Sequence, residues 1–451
     1  MSSTGSFQAR LAGIDPLSLR DPGAAGEALR RSLLVGARIA VIEPGYVTKR
    51  FLYERARLYG VELVLVGDPS GWAQTLVDEG IAVEFVDADP GGEPEAGARA
   101  VLAALGEAAR LDGVITFWED AVPAMARVAE ALGLPGFPPA AADAARSKLR
   151  TLDASRAAGL PTPRFVHLEG PESLRAAAEY VGFPAVIKPV FGSEALGCLR
   201  ADDFAMLEAG YARVSALITP ELNAIFEQGC DLMLEEYLDG TEFDVDLVLS
   251  GGECVFAGVS ENWVTEEPYF VETGMHSPSA HPPERLEAIT DLCVRTALAL
   301  GFRDGVLHAE AKDTSRGPRL LEINARLGGG VIADIHRLVT GVDLVEQQLL
   351  LAVGLPAVPR AHPRPAAGVT TVFMHASHSG RFTHTRWLDH LAPDPSVIQH
   401  DVLVKPGQPV TAAVDGFPTV IAELTVFADD APGARARALE LVDALELPYA
   451  G

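Results

Sequence analysis

Two segments in the second half of the chain, Val306-Leu-His-Ala-Glu-Ala-Lys312 and Arg319-Leu-Leu-Glu-Ile-Asn-Ala-Arg326, alternate apolar and polar residues and are joined by Asp313–Pro318, which is rich in turn formers. This pattern predicts a β-hairpin. Side chains on a strand repeat every second residue, so His308, Glu310 and Lys312 share one face of the first strand, and Glu322, Asn324 and Arg326 share one face of the second. With the loop centred near Arg316, Glu310 lies opposite Glu322 and His308 opposite Asn324. Carboxylates facing each other across a ladder, with Cβ atoms roughly 4.5–5.5 Å apart, repel unless something positive lies between them.

Carboxylate and amide oxygens are hard ligands, so Mg²⁺ is the cation expected at Glu310, Glu322 and Asn324, with Mn²⁺ able to substitute. Taken alone, either segment reads as an ordinary acidic strand face. Both together, with Gly328-Gly-Gly330 immediately after Arg326, favour the metal site.

The rest of the chain alternates strand and helix. Residues 1–36 read as an N-terminal extension with one short helix around Ala24–Leu34. The apolar run Arg38-Ile-Ala-Val-Ile-Glu-Pro-Gly45, then Val61–Gly67, Val83–Asp87, an Ala-rich helix to about Leu111, and Gly113–Phe117 predict a doubly wound parallel sheet. Glu-Pro-Gly-Tyr after the first strand is not GxGxxG, which argues against a dinucleotide fold. A second unit of alternating strand and helix begins near Ala145 and contains the strand Pro184-Ala-Val-Ile-Lys-Pro189. Residues 232–330 read as strands around one long helix, Pro283–Leu300; Leu355–Pro365 reads as a Pro-rich linker, and 368–451 as a small α+β piece.

A chain of 451 residues calls for two or three lobes. Its formal charge of -26 argues against nucleic acid, whose backbone needs a broad basic surface. No apolar run approaches the roughly 18–20 residues of a membrane span, and no basic segment with an apolar core opens the chain, so a cytoplasmic address is expected. The four cysteines form no CxxC pair and fit reduced thiols.

Glu310 followed by Leu321-Glu-Ile-Asn-Ala-Arg326 and glycines resembles the metal site of ATP-grasp enzymes. Other motifs agree in order. Lys148, eleven residues before Gly159-Leu-Pro-Thr-Pro, and Lys188 in Val-Ile-Lys-Pro are similar to the family's two phosphate-binding lysines; Gly192-Ser193-Glu-Ala-Leu-Gly197 resembles its mobile glycine loop. In Leu234-Glu-Glu-Tyr-Leu-Asp-Gly-Thr-Glu242, which resembles the family's hinge, the resemblance implies that Glu235 lies beside the adenine amino group. Backbone from Glu236 through Tyr237 to Leu238 would then read the adenine edge, and Glu242 would take the ribose hydroxyls. It also implies an α/β and α+β multidomain fold: a pre-ATP-grasp domain over 37–144, an ATP-grasp domain over 145–365 with a mobile lid at about 150–233, and a C-terminal α+β cap over 366–451.

The implied activity is an ATP-dependent ligation in which a carboxylate becomes an acyl phosphate and an amine captures it, with Arg326 and the amides of Gly329 and Gly330 stabilising the reacting oxygens. The segments around Val259-Ser-Glu-Asn-Trp, Phe270-Val-Glu-Thr-Gly and His308-Ala-Glu310 look most like the carnosine synthase and L-amino-acid ligase branch. That likeness implies small-molecule partners, with Glu272 on a substrate ammonium group, His276 or His308 on a carboxylate, and Glu119 facing the site; His308 equally suits orienting a metal ligand. A homodimer is implied by the resemblance alone. A biotin-carboxylase-like or CoA-type ligase and an ATP-binding regulator without turnover are the alternatives.

Overall fold

The structure, a computed structural model, describes residues 7–11, 14–106, 110–220, 224–383, 391, 393–443 and 449–450. Parts of the expected N-terminal extension (1–6, 12–13), Ala-rich helix (107–109), lid (221–223) and C-terminal region (384–390, 392, 444–448, 451) lie outside these residues.

Strands β1 (Arg38–Ile42), β2 (Glu62–Gly67), β3 (Glu84–Asp87) and β4 (Gly113–Ile115) form a parallel sheet in the order β3-β2-β1-β4. Ile39 to Ile42 are buried without a break because both faces of β1 are covered: Ile39 and Val41 face one core and Ala40 and Ile42 another. The Ala-rich helix is shorter than expected, running Pro94–Leu105, because Gly106 takes φ +67° and ends it.

The lid is a four-stranded antiparallel sheet of β5 (Phe165–Leu168), β6 (Ala185–Pro189), β7 (Leu199–Ala201) and β8 (Leu232–Glu236), ordered β5-β8-β6-β7. Helices Leu174–Val181 and Phe204–Leu217 cover one face, burying Ala178, Val181, Leu207 and Val214 against Ile187 and Leu234.

The central sheet begins with β9 (Thr241–Ser250), β10 (Glu253–Asn262), β11 (Gly274–Ser277), β12 (Gly305–Thr314) and β13 (Gly317–Asn324). Further along come β14 (Gly368–His375), β15 (Gly380–Phe382), β16 (Val397–Val402), β17 (Pro409–Val410), β18 (Val420–Ala428) and β19 (Tyr449–Ala450). Only β15, β17 and β19 make a small sheet of their own. The others continue the central sheet, ordered β13-β12-β9-β10-β11-β14-β18-β16, with β14 antiparallel to β11 from Gly274↔Val372 to Ser277↔Val369. The C-terminal α+β region expected from 366 thus shares one hydrogen-bonded sheet with the strands before it.

Residues 24–34 form the short helix expected within the N-terminal extension. Their helix packs on the helix Leu344–Ala352, where Arg31 forms a forked pair with Glu346 at 2.6 and 2.9 Å. Buried Arg30 donates to the carbonyls of Leu19 and Asp21.

The long helix Pro283–Leu300 backs the central sheet, with Ile289, Leu292, Cys293 and Ala297 against Val245, Leu247, Ala309, Leu320 and Ile323. Each large apolar side chain buried there stabilises the layer by roughly 1.5–3 kcal/mol. With one face committed to this core, the alternate residues of β9, β12 and β13 must face the cleft.

Candidate active site

The cleft face of these three strands carries the polar residues in rungs. His308 lies between Asp246 and Asn324, Glu310 between Asp244 and Glu322, and Lys312 beside Glu242. The pairings Glu310↔Glu322 and His308↔Asn324 are those expected from the alternation, although the turn differs. Thr314 pairs with Gly317 around a two-residue turn, a spacing that would continue to Leu321 opposite Glu310 in a regular ladder. The register shifts between Glu310 and Ala311, where Leu321 is the extra residue, and this β-bulge brings Glu322 into line. Leu321 and Glu322 both line the cleft as a result.

The electrostatics of the middle rung follow from this proximity. Burial and then the facing Glu322 carboxylate push Glu310 up to about 8. Burial alone would raise Glu322 too, but the Lys148 ammonium and a 2.9 Å bond from Asn324 Nδ2 hold it down at about 2. Asp244, also buried, is raised to about 6, and its oxygen accepts from Asn262 at 3.0 Å. Asp244, His308 and Glu310 bring ligand atoms within 4.8 Å of one another. Closely set carboxylates, one of them raised by burial and by the carboxylate facing it, are a donor set that fits a divalent cation.

Behind this rung lies a buried relay. Asp246 is fully buried and pairs with His308 Nδ1 at 3.1 Å and His336 Nε2 at 2.8 Å, while His308 Nε2 lies 3.7 Å from Glu310. Burial disfavours a charge on His308, yet Asp246 overrides it and raises the imidazole well above its ordinary value. His308 is thus enclosed between Asp246 and Glu310 and orients the acidic rung. Gly328 packs against the same pair: a Cβ there would stand 3.0 Å from both Asp246 Oδ1 and His308 Nδ1. Gly329, singled out from sequence, has open space around it, and Gly330 adopts φ +50°.

The two expected phosphate lysines line one cleft. Lys148 is the first residue of the helix Lys148–Ala157; its Nζ donates to Gly192 O at 2.8 Å and pairs with Glu322. Lys188, on β6, forms a buried pair with Glu235 on β8 at 2.7 Å. Gly192 and Ser193 line the cleft between the lysines, and the loop to Gly197 includes Glu194 and Ala195 at φ +54° and +52°. Such values strain non-glycine backbone and recur at ligand-gripping loops. Glu236, Tyr237 and Leu238 line the same cleft, with the Glu236 side chain turned to Arg164 and Arg316 at 3.1 and 2.9 Å. Glu242 pairs with Lys312 at 3.6 Å.

Arg326 and Glu119 meet across the lobes at 2.9 Å. The other Glu119 oxygen lies 3.4 Å from Arg146, so Glu119, expected at a substrate, is engaged by two arginines and holds Arg326 in place. Lys49, at the end of the loop after β1, joins this group. Burial and then Arg326 lower it to about 8, while Glu194, Glu119 and Glu423 oppose the fall.

Glu272 lines the cleft, and its carboxyl is raised well above the usual range by burial and by Glu310, Glu242, Asp244 and Glu194. No cation lies within ion-pair distance of it among the described residues. His276 is not brought to the site. It pairs in register with Glu261 on β10, lies 3.7 Å from that carboxylate, which also holds His281, and so faces away from the cleft. The physical reason is parity: in Gly274–Ser277 the neighbours Met275 and Ser277 take the other face, where Met275 packs on Ile332 and Ile335.

Sequence reasoning gave no role to Asp244, Asp246, Glu194, Lys49 and His336, and placed Lys312 only on the polar face of its strand. The acid at every second position in Glu242-Phe-Asp-Val-Asp was a legible sign of the first two.

Residues 181–334 match the ATP-grasp domain and residues 53–136 the ATP-grasp N-terminal domain. The chain thus carries an ATP-grasp domain and an ATP-grasp N-terminal domain, in the ATP-grasp fold. It is 37% identical over 354 residues to carnosine synthase 1 of Mus musculus, covering 74% of this chain and 42% of that protein. It is 27% identical over 259 residues to alanine–anticapsin ligase of Bacillus subtilis, covering 54% of this chain and 53% of the relative. Among solved structures, the L-amino acid ligase from Bacillus licheniformis superimposes with a TM-score of 0.77 at 22% identity, covering 92% of this chain and 100% of that one. The chain spans about two fifths of the length of the carnosine synthases it matches. Among the described residues, no helix is long and apolar enough to cross a membrane.

Proposed function

We propose that the protein is an ATP-dependent carboxylate–amine ligase that joins two amino acids through an acyl phosphate, releasing ADP and phosphate. The observation that carries this reading is Glu272: a cleft-lining carboxyl set near Glu310, Glu242, Asp244 and Glu194, with no cation within ion-pair distance among the described residues. An ammonium group is the partner that chemistry asks for. The 37% identity to carnosine synthase 1 and the match to alanine–anticapsin ligase support the same class of substrate.

In this reading Glu272 orients one amino acid by its ammonium group, and its carboxylate oxygen attacks the γ-phosphorus of ATP. The bond from that phosphorus to the bridging oxygen breaks and ADP leaves. The amine of the second amino acid then attacks the acyl carbon, the acyl C–O bond breaks, phosphate leaves, and the amine's surplus proton passes to solvent. Lys148 and Lys188 supply positive charge to the phosphates, and Arg326, braced by Glu119, meets the charge developing on the transferred group and acyl oxygen. Magnesium, for which Glu310, Glu322 and Asn324 offer oxygens, would neutralise phosphate charge there.

The test is ADP release from ATP in the presence of pairs drawn from the L-amino acids and β-alanine, with mass spectrometry of the products. Release stimulated by a pair, with a mass equal to the sum of the two minus water, is expected. No stimulation by any pair counts against ligation, and dependence on bicarbonate points to a carboxylase. Glu272→Gln should raise the KM of the activated amino acid roughly 10–100-fold, the effect of losing a charge-assisted hydrogen bond, while ATP affinity stays within about twofold.

A further inference from the structure

Residues 264–273, between β10 and β11, have little packing of their own. Val264 is 92% exposed, and the loop is closed by a single bridge in which Glu266 and Val271 exchange backbone hydrogen bonds at 2.9 and 3.1 Å. Yet the loop touches two parts of the molecule with different tasks. Its later residues, Phe270 and Glu272, line the cleft, Phe270 at a left-handed φ of +53°. Its earlier residues are gripped by the lid.

The grip centres on the Glu267 carboxylate, which two lid side chains hold, and on the backbone beside it. Arg200, on β7, donates its backbone N–H to the Pro268 carbonyl at 2.9 Å, and its guanidinium pairs with Glu267. The Tyr237 hydroxyl donates to the other oxygen of Glu267 at 2.7 Å. The Arg200 guanidinium also lies over the Tyr237 ring, 4.4 Å from its centre. Tyr237 itself sits in the segment after β8 whose residues line the nucleotide side of the cleft. A second contact follows two residues on, where Arg213 of the lid helix lies 5.3 Å from the Tyr269 ring.

We propose that Arg200, Tyr237 and Glu267 are positioning residues that make Glu272 follow the lid, so that nucleotide and amino acid each favour the other's binding. This rests on the reading of the cleft as an ATP and amino-acid site. A loop with one internal bridge and an exposed tip takes its conformation from whatever holds it most firmly, and here the lid holds it at Glu267 and Pro268. When the lid settles over nucleotide, the loop is drawn with it, and five residues on from Glu267 the Glu272 carboxyl is set in the cleft. Couplings of this kind change affinity roughly 5–150-fold and act equally in both directions.

The experiment is amide hydrogen exchange on the full chain, with and without magnesium and a non-hydrolysable ATP analogue, for wild type, Glu267→Gln and Tyr237→Phe. In wild type the nucleotide should slow exchange about tenfold both in the lid around 192–201 and in residues 264–273. In Glu267→Gln the lid protection should persist while loop protection falls to within about twofold of the nucleotide-free value; Tyr237→Phe, which keeps the ring, should lie between. Exchange in β12 and β13 reports that the variants are folded. Loop protection in Glu267→Gln equal to wild type overturns the coupling alone. Absence of lid protection in wild type overturns the nucleotide reading, and the coupling with it. In steady-state assays Glu267→Gln should raise the amino-acid KM about tenfold at saturating ATP and the ATP KM about tenfold at saturating amino acid, while nucleotide affinity without amino acid stays within twofold, a pattern that general destabilisation would not produce.

Discussion

Glu310 and Glu322 stand opposite each other on adjacent strands, and one extra residue, Leu321, puts them there. Without the bulge, the two-residue turn would set a leucine against Glu310, and the cleft would lose its facing acids. The bulge also lets Lys148 reach Glu322 from the neighbouring helix, so one carboxylate is held ionised while the other is pushed towards its neutral form. Glu322→Gln should therefore abolish high-affinity Mn²⁺ binding in the presence of ADP, read by the free-ion electron paramagnetic resonance signal, and lower turnover by at least about 10²-fold. Normal Mn²⁺ uptake in this variant would exclude the assignment of Glu322 as a ligand.

Lys188 and Glu235 are buried together, so removing one leaves the other an uncompensated charge. Lys188→Met should destabilise the fold by about 3–5 kcal/mol. Lys188→Met combined with Glu235→Gln should recover most of that loss, since no charge is then stranded, but nucleotide binding should remain at least about tenfold weaker than wild type. Paired denaturation and nucleotide titrations measure both. Recovery of binding in the double variant would mean that Lys188 serves only to neutralise Glu235.

Glu423, on β18, faces Asp401 on β16, and burial, then Asp401 and Glu194, raise it to about 7. Against an ordinary value of about 4.3, the native protein keeps a proton that the unfolded chain has already lost between about pH 4.3 and 7. The unfolded state binds fewer protons over that window, so stability falls as pH rises through it. Glu423→Gln cannot ionise and should escape this fall, gaining about 1–3 kcal/mol relative to wild type between pH 5 and 8. A thermal-shift difference that stays constant with pH would refute the assignment.

Cys198 borders the cleft beside both lysines, yet burial drives its thiol up to about 11. At pH 8 roughly one molecule in a thousand carries the thiolate that alkylates. Brief iodoacetamide treatment followed by peptide mass spectrometry should label exposed Cys230 and leave Cys198 unmodified. Rapid labelling of Cys198 would show that the cleft opens to solvent.

The hairpin was legible because its signal is local: alternation, turn formers and a short loop confine the register to one or two choices. The facing of Glu310 and Glu322 was reached through a turn centred on Arg316, whereas the structure reaches it through a two-residue turn and the bulge at Leu321, which the alternation does not show. Asp244 and Asp246 were written just as plainly, but which strand lies beside β12 is a long-range fact, and β9 precedes it by some sixty residues. His276 shows the complementary limit. Alternation says that it faces away from Met275, yet not which of the two faces is the cleft. Likewise, the Pro-rich connector before 366 marks a break in local structure and says nothing about whether the strands beyond it return to the sheet they left, as β14 does.

That return has a consequence for how the protein is made. β18 is the seventh strand in the order of the central sheet and follows β14 by some fifty residues, while β14 pairs on its other side with β11. A growing chain that has emerged only as far as β14 presents an unpaired strand edge of eight residues, Gly368–His375, until some fifty more have been added. Slow translation between the two strands would lengthen the interval in which nascent copies can stick to one another, and premature termination there would yield a fragment carrying every cleft residue from Lys148 to Arg326 together with an open edge.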